Sequence, residues 1–209
     1  MSNKIERRFV SADIRQSGND NALRGYAAKF GKRSQNLGGF REKIALGAFD
    51  RALSEGQDVR ALVNHDPNLV LGRVSSKTLR LSQDSVGLKF DCDLPDTSYA
   101  RDLRASIQRG DISQCSFAFS VLSDDWTQED DEETGERIAV RTLRDLDLLD
   151  VSAVTYPAYE DTEVYARSLF PDGIPAEVRS RIPNVDARVK AAALRARAAR
   201  KSLFRFVVS

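Results

Sequence analysis

Short apolar runs recur along this chain between clusters of Gly, Asn, Asp and Pro, and that spacing leaves little choice but a sheet built from many short strands. Ile5 to Val10 and Leu23 to Phe30 read as strands on either side of the turn cluster Gly18-Asn19-Asp20-Asn21, a hairpin-like opening. Val59 to Val63 stops at Asn64-His65-Asp66-Pro67. Proline biases the residue before it toward extended geometry, which sets His65 at a strand end. Further strands are expected at Leu69 to Val74, Thr78 to Leu81, Val86 to Cys92, Ile112 to Leu122 and Ile138 to Leu149. Within one of these, Val86, Leu88, Phe90 and Cys92 alternate onto one face. A series of this kind argues a sheet closed or folded upon itself.

Helical periodicity is confined to a few places. Phe49 and Leu53 stand at i, i+4 in a short segment ended by Gly56, and Tyr99, Leu103 and Ile107 repeat behind an Asp96-Thr97 cap until Gly110. The acidic run Asp124 to Glu136 reads as an exposed hairpin or mobile loop. From Ala176 onward, alanines interleaved with arginines predict a helical tail, interrupted at Pro183 and ending in the apolar string Leu203 to Val208. Pro171, Gly173 and Pro175 mark the junction, so residues 1–170 are expected to form the domain and 171–209 a basic appendage. Although the formal net charge of the 209 residues is +1, nine Lys/Arg against Glu177 and Asp186 give the segment from Pro175 a balance of +7. Nucleic acid is not the expected partner, because the domain lacks the basic face with interleaved aromatics that such a surface needs. No run approaches the length of a membrane span and the start is polar, so a cytoplasmic protein with reduced Cys92 and Cys115 is expected.

The chain has one histidine. Metal sites built on two or three imidazoles are thereby excluded, Cys92 and Cys115 lack CxxC spacing, and no cofactor or metal is expected. His65 can act as a general base if a hydroxyl or thiol lies within hydrogen-bond reach and a carboxylate fixes its tautomer. Ser113, Cys115, Ser116 and Ser120 share one strand and are the candidate nucleophiles. Cys115 and Ser116 point to opposite sides of a regular strand, so only one of them can face His65. No Gly-x-Ser-x-Gly elbow and no phosphate-cradling glycine loop is present. Asp150, inside Leu148-Leu149-Asp150-Val151-Ser152-Ala153-Val154, is the carboxylate most naturally placed, since an ionised group in so apolar a strand is costly to bury without a partner. Asp147 and Asp66 are its rivals.

In order, the chain carries Leu23-Arg-Gly-Tyr-Ala-Ala-Lys-Phe30, Gly47-Ala-Phe-Asp50, Val63-Asn-His-Asp66 with Leu71-Gly-Arg73, and Gly87-Leu88 with Asp93-Leu-Pro-Asp-Thr97. Arg109-Gly-Asp-Ile112, Ser116-Phe-Ala-Phe119 and Asp150-Val-Ser-Ala-Val-Thr-Tyr-Pro-Ala-Tyr159 follow. This succession resembles the tailed-phage prohead proteases, relatives of the herpesvirus assemblin, from about Glu6 to Arg167. The resemblance implies that His65 and Ser116 carry the reaction. Asp150 is expected as third member, because the second histidine of the herpesvirus relatives has no counterpart here. Ala118 stands where the family commonly has glycine, and Asp150 where it often has glutamate. Arg73 is a candidate positioning residue.

The fold so implied is α+β and mainly β, a closed barrel-like sheet surrounded by helices, with the C-terminal helical tail appended. The activity implied is that of a serine endopeptidase acting on scaffold protein or the scaffold arm of the major capsid protein, then on itself. A homodimer or higher oligomer, packaged inside the procapsid in the host cytoplasm, is the expected form. The competing expectation is a catalytically silent scaffold or capsid-assembly protein.

Overall fold

The computed structural model describes residues 5–10, 15–16, 21–37, 40–131, 135 and 137–155. Among the described residues, ten strands and two helices follow in the order β1 (Ile5–Val10), β2 (Arg15–Gln16), β3 (Ala22–Lys29), β4 (Phe40–Ile44), α1 (Asp50–Ser54), β5 (Arg60–Val63), β6 (Asp66–Arg73), β7 (Leu79–Gln83), β8 (Gly87–Asp93), α2 (Ser98–Arg109), β9 (Gln114–Asp130) and β10 (Arg137–Val154). The strands form two sheets. One runs β1-β9-β10-β5-β6, with β4 also pairing β10, and the other runs β2-β3-β8-β7. The β10–β5 pair is parallel, while β1–β9 and β5–β6 are antiparallel, so the first sheet is mixed.

Mainly-β architecture is as expected, but among the described residues neither sheet closes into a barrel. The opening hairpin also differs. β1 pairs with β9 in one sheet, whereas β3 is met by the two-residue β2 in the other. Local turn chemistry could not distinguish a chain that doubles back from one that changes sheet at the same place. The helical tail expected at 171–209, the junction expected before it and most of the turn cluster at 18–21 lie outside the described residues. No helix among the described residues is long and apolar enough to cross a membrane.

The chain divides into two compact units. The first comprises residues 1–32, 44–124 and 143–158 and holds the main core. Leu88, Phe90 and Cys92 of β8 are buried there, as the alternation predicts, while Val86 lies beyond the strand and is half exposed. Phe117 and Phe119 stack at 4.9 Å between centroids, and Phe49 meets Phe117 edge-on at 5.9 Å. Rings buried this completely contribute about 2–3 kcal/mol each. α2 buries Ala100, Leu103 and Ile107 along one stripe and stops at Gly110, whose φ of +84° only glycine adopts without cost. Gly72 answers a different demand. A Cβ there would stand 2.6 Å from Cys92 Sγ and 3.0 Å from the Thr78 carbonyl oxygen, so β6 packs this closely only with glycine.

The second unit comprises residues 33–43, 125–142 and 159–209. Of the two expectations for its acidic stretch, the structure takes the hairpin and not the loop: β9 continues as strand to Asp130, and its neighbour β10 begins at Arg137. Two of the carboxylates are held by cations. Asp131 is buried in a bidentate bond from Arg41, and Glu129 accepts from both Arg33 and Lys43. Those cations, Lys43 foremost, hold the Glu129 carboxyl down at about 2. An acidic run that looks solvated in sequence is here paired, because Arg41 and Lys43 of β4 and Arg33 ahead of it meet Asp131 and Glu129 at the end of β9.

Candidate active site

Every residue of the site belongs to the first unit. Construction begins at the β5–β6 hairpin, where Val63 pairs with Asp66 and only Asn64 and His65 remain for the turn. Both have positive φ, 52° and 57°. A two-residue turn with this conformation matches the right-handed twist of its strands, and asparagine tolerates it better than most residues. The Asn64 N–H donates to the Ala153 carbonyl at 2.9 Å. Its side-chain amide donates to Thr155 Oγ1 at 3.1 Å and accepts from the Thr155 N–H at 2.8 Å, tying the turn to the end of β10. His65 therefore lies just past the end of β5, as expected, but not in the extended geometry that Pro67 suggested. It stands in the left-handed region, and the proline's influence falls on Asp66, the first residue of β6.

From that turn the imidazole reaches two strands. Nδ1 lies 2.6 Å from Asp150 Oδ1, and Nε2 lies 2.7 Å from Ser116 Oγ. Asp150 comes from β10, in parallel register with Arg60 of β5, and Ser116 comes from β9, opposite Phe9 of β1. The three sequence-derived site residues, separated by 51 and 85 positions from His65, thus share one hydrogen-bonded chain. The His65 and Asp150 side chains keep only 9% and 12% of their exposure, and Ser116 keeps none. Charge–dipole interactions in such a place are far less screened than in water.

The other candidates fall elsewhere. Cys115 faces the core with Phe117 and Phe119, and burial pushes its thiol up to about 12, which leaves no thiolate near neutral pH. Ser113 is exposed ahead of β9, and Ser120 stands opposite Ile5. Asp147 accepts from Arg51 and Gln57, and Asp66 accepts from Asn68. Arg73 pairs with Asp58 at the surface, at about half its full exposure. Among the described residues no three His, Cys, Asp or Glu side chains converge as a metal site would require.

Two participants were not read from the sequence. Ser152 Oγ donates to Asp150 Oδ1 at 2.8 Å and lies 3.3 Å from the His65 N–H that points to it. The Arg8 carbonyl of β1 accepts from Ser116 Oγ at 2.9 Å. One hydroxyl carries one proton. While Ser116 gives it to Arg8, it can only accept from an Nε2–H, and His65 is a base toward Ser116 only when the hydroxyl turns to Nε2.

This geometry has the parts of acyl-transfer chemistry: a hydroxyl, an imidazole in contact with it, and a carboxylate on the opposite ring nitrogen. Against known families, residues 10–170 match the caudovirus prohead serine proteases. The chain belongs to that family. The matched span includes His65, Ser116, Asp150 and Ser152. The solved structure of the bacteriophage T4 capsid assembly protease, gp21, is similar over 74% of this chain and 98% of that one, with 12% identity and a TM-score of 0.49. None of the curated proteins matches this chain.

Proposed function

We propose that this prohead protease is a serine endopeptidase in which Ser116 is the nucleophile, His65 its base and Asp150 the residue that orients and charges the imidazole. One observation carries the reading: the chain's single histidine has a hydroxyl at 2.7 Å on one ring nitrogen and a carboxylate at 2.6 Å on the other. In the forward step Ser116 Oγ attacks the peptide carbonyl carbon as His65 Nε2 takes its proton, and Asp150 holds Nδ1–H and stabilises the imidazolium. His65 then returns the proton to the leaving amine, and water repeats the sequence to release the acyl group. Backbone N–H groups stabilise the oxyanion. Because Ser116 has no exposed surface and its hydroxyl is engaged by Arg8, a substrate carbonyl must displace that covering before attack.

The substrates proposed are scaffold protein and the scaffold arm of the major capsid protein, cleaved inside the procapsid in the host cytoplasm and followed by self-cleavage. A homodimer or higher oligomer is the proposed working form. Residues 171–209 are proposed as the docking and autoprocessing segment, so a chain ending at Phe170 should cleave peptides yet fail to enter procapsids.

The decisive experiment mixes purified protease with capsid and scaffold protein and reads fragment masses. Ser116→Ala and His65→Ala should each lower the cleavage rate by several orders of magnitude, with unchanged circular dichroism. Wild-type fragments at the wild-type rate from Ser116→Ala would end the proposal.

A further inference from the structure

Ser152 is 1% exposed and sits two residues beyond Asp150 on β10, where both faces of the strand are buried. Its hydroxyl does not merely satisfy itself. It donates to Asp150 Oδ1 at 2.8 Å, the same oxygen that meets His65 Nδ1, and its oxygen faces the His65 backbone N–H at 3.3 Å. The backbone beneath is fixed by the parallel ladder, with Ser152 opposite Leu62 and Asp150 opposite Arg60. One side chain therefore touches the carboxylate, the imidazole, whose Nδ1 lies 3.3 Å from its oxygen, and the main chain of the strained turn that presents the ring.

We infer that Ser152 is a positioning residue for the Asp150–His65 pair, an inference that rests on the triad reading above. It acts in two ways. The O–H donor holds Oδ1 in line with Nδ1, leaving Asp150 one rotational arrangement instead of several. By keeping the carboxylate against Nδ1, the same donor also keeps the neutral ring's proton on Nδ1 and leaves Nε2 open to Ser116. Loss of the hydroxyl should thus lower turnover and mix the tautomers of the neutral ring, a combination that a packing defect does not produce. A serine that only filled space would be replaceable by alanine without either effect.

Since the chain has one histidine, its ring nitrogens give unambiguous signals in ¹⁵N-labelled protein. They are followed in full-length Ser116→Ala, which cannot digest itself on the triad reading, with and without Ser152→Ala. The expected result is a neutral ring whose proton stays on Nδ1 while the hydroxyl is present and is shared between Nδ1 and Nε2 when it is gone. In the Ser116 background, Ser152→Ala should lower kcat about tenfold or more with KM within about twofold. Ser152→Thr, which keeps the hydroxyl, should restore both readouts toward wild type. A lowered kcat with unchanged ring-nitrogen signals would mark general packing loss and overturn the inference. So would wild-type kcat in Ser152→Ala while Ser116→Ala is inactive, and that outcome leaves the triad standing. An active Ser116→Ala would instead refute the triad reading itself.

Discussion

Asp147 and Asp150 lie three residues apart on β10 and meet opposite environments. Asp147, with its side chain 31% exposed, accepts from the Arg51 guanidinium at 2.6 Å and from Gln57 at 2.6 Å. Arg51 also clasps Asp145 and donates to the Leu146 carbonyl, so the cluster staples α1 to β10. Arg51 first, then Gln57, holds the Asp147 carboxyl below the usual range. Asp150 is turned to the buried side of the strand and meets an imidazole instead. A carboxylate beside a guanidinium is locked in one charge state at every physiological pH, and it can only hold structure. A carboxylate beside an imidazole has a partner whose proton can leave and return, and it can take part in chemistry. Position along the strand decided which aspartate received which partner.

The largest contrast is in turnover. Asp150→Asn should cut peptide cleavage by about 10⁴-fold while preserving the fold, because an amide can hold the ring in the wrong tautomer. Asp147→Asn should stay within about threefold of wild type, since a partly exposed ion pair contributes roughly 0–1 kcal/mol to stability and nothing to the reaction. Steady-state rates on one peptide compare the two directly. Equal losses would erase the distinction drawn between them.

A smaller effect is expected at the turn that supports only one of the two regions. Asn64→Ala removes both bonds to Thr155 and places a less tolerant residue at φ 52°, which should cost about 1–3 kcal/mol in urea unfolding. Asn64→Gly relieves the backbone and should lose about half of that. Both should lower kcat, whereas Gln57→Ala, which touches the Asp147 cluster, should lower stability alone. A turnover defect in Gln57→Ala equal to that of Asn64→Ala would show the two regions to be coupled.

The smallest difference is in the acid dependence of stability. Asp147 has a folded pKa below its unfolded value of about 3.8, so its contribution is complete above that value and disappears as pH falls through the depressed one. Wild type and Asp147→Asn should therefore differ in unfolding midpoint near pH 6 and converge as pH falls through the depressed value. A difference that persists unchanged at pH 2 would show that the cluster acts through packing of the Arg51 stem and not through charge.

Much of the strand pattern was legible because burial on one face imposes a period of two, as Leu88, Phe90 and Cys92 illustrate. Gly110 and Gly56 ended their helices where a left-handed residue was needed. The same local reading failed where the answer depended on a distant partner. The acidic run looked solvated until Arg41, Arg33 and Lys43 were placed beside it. Asn64 was a turn signal, yet Pro67 drew attention to extended geometry, and the left-handed pair escaped notice. Ser152 gave no signal at all, since a serine between two apolar residues reads the same whether or not a carboxylate accepts from it.

Residue type and order were enough to narrow the chemistry. With one histidine, no cysteine pair in ligand spacing and no glycine-rich phosphate loop, the chain had room for an imidazole-assisted nucleophile, and motif order singled out Ser116 and Asp150. Which hydroxyl and which carboxylate the imidazole reaches was decided only in three dimensions. Parallel pairing of β10 with β5 sets Asp150 and Ser152 beneath the β5–β6 turn, and β9, another neighbour of β10, brings Ser116 to the opposite nitrogen. Strand neighbours are chosen by the burial of whole faces, a sum over many residues far apart in the chain, and no local pattern carries that sum.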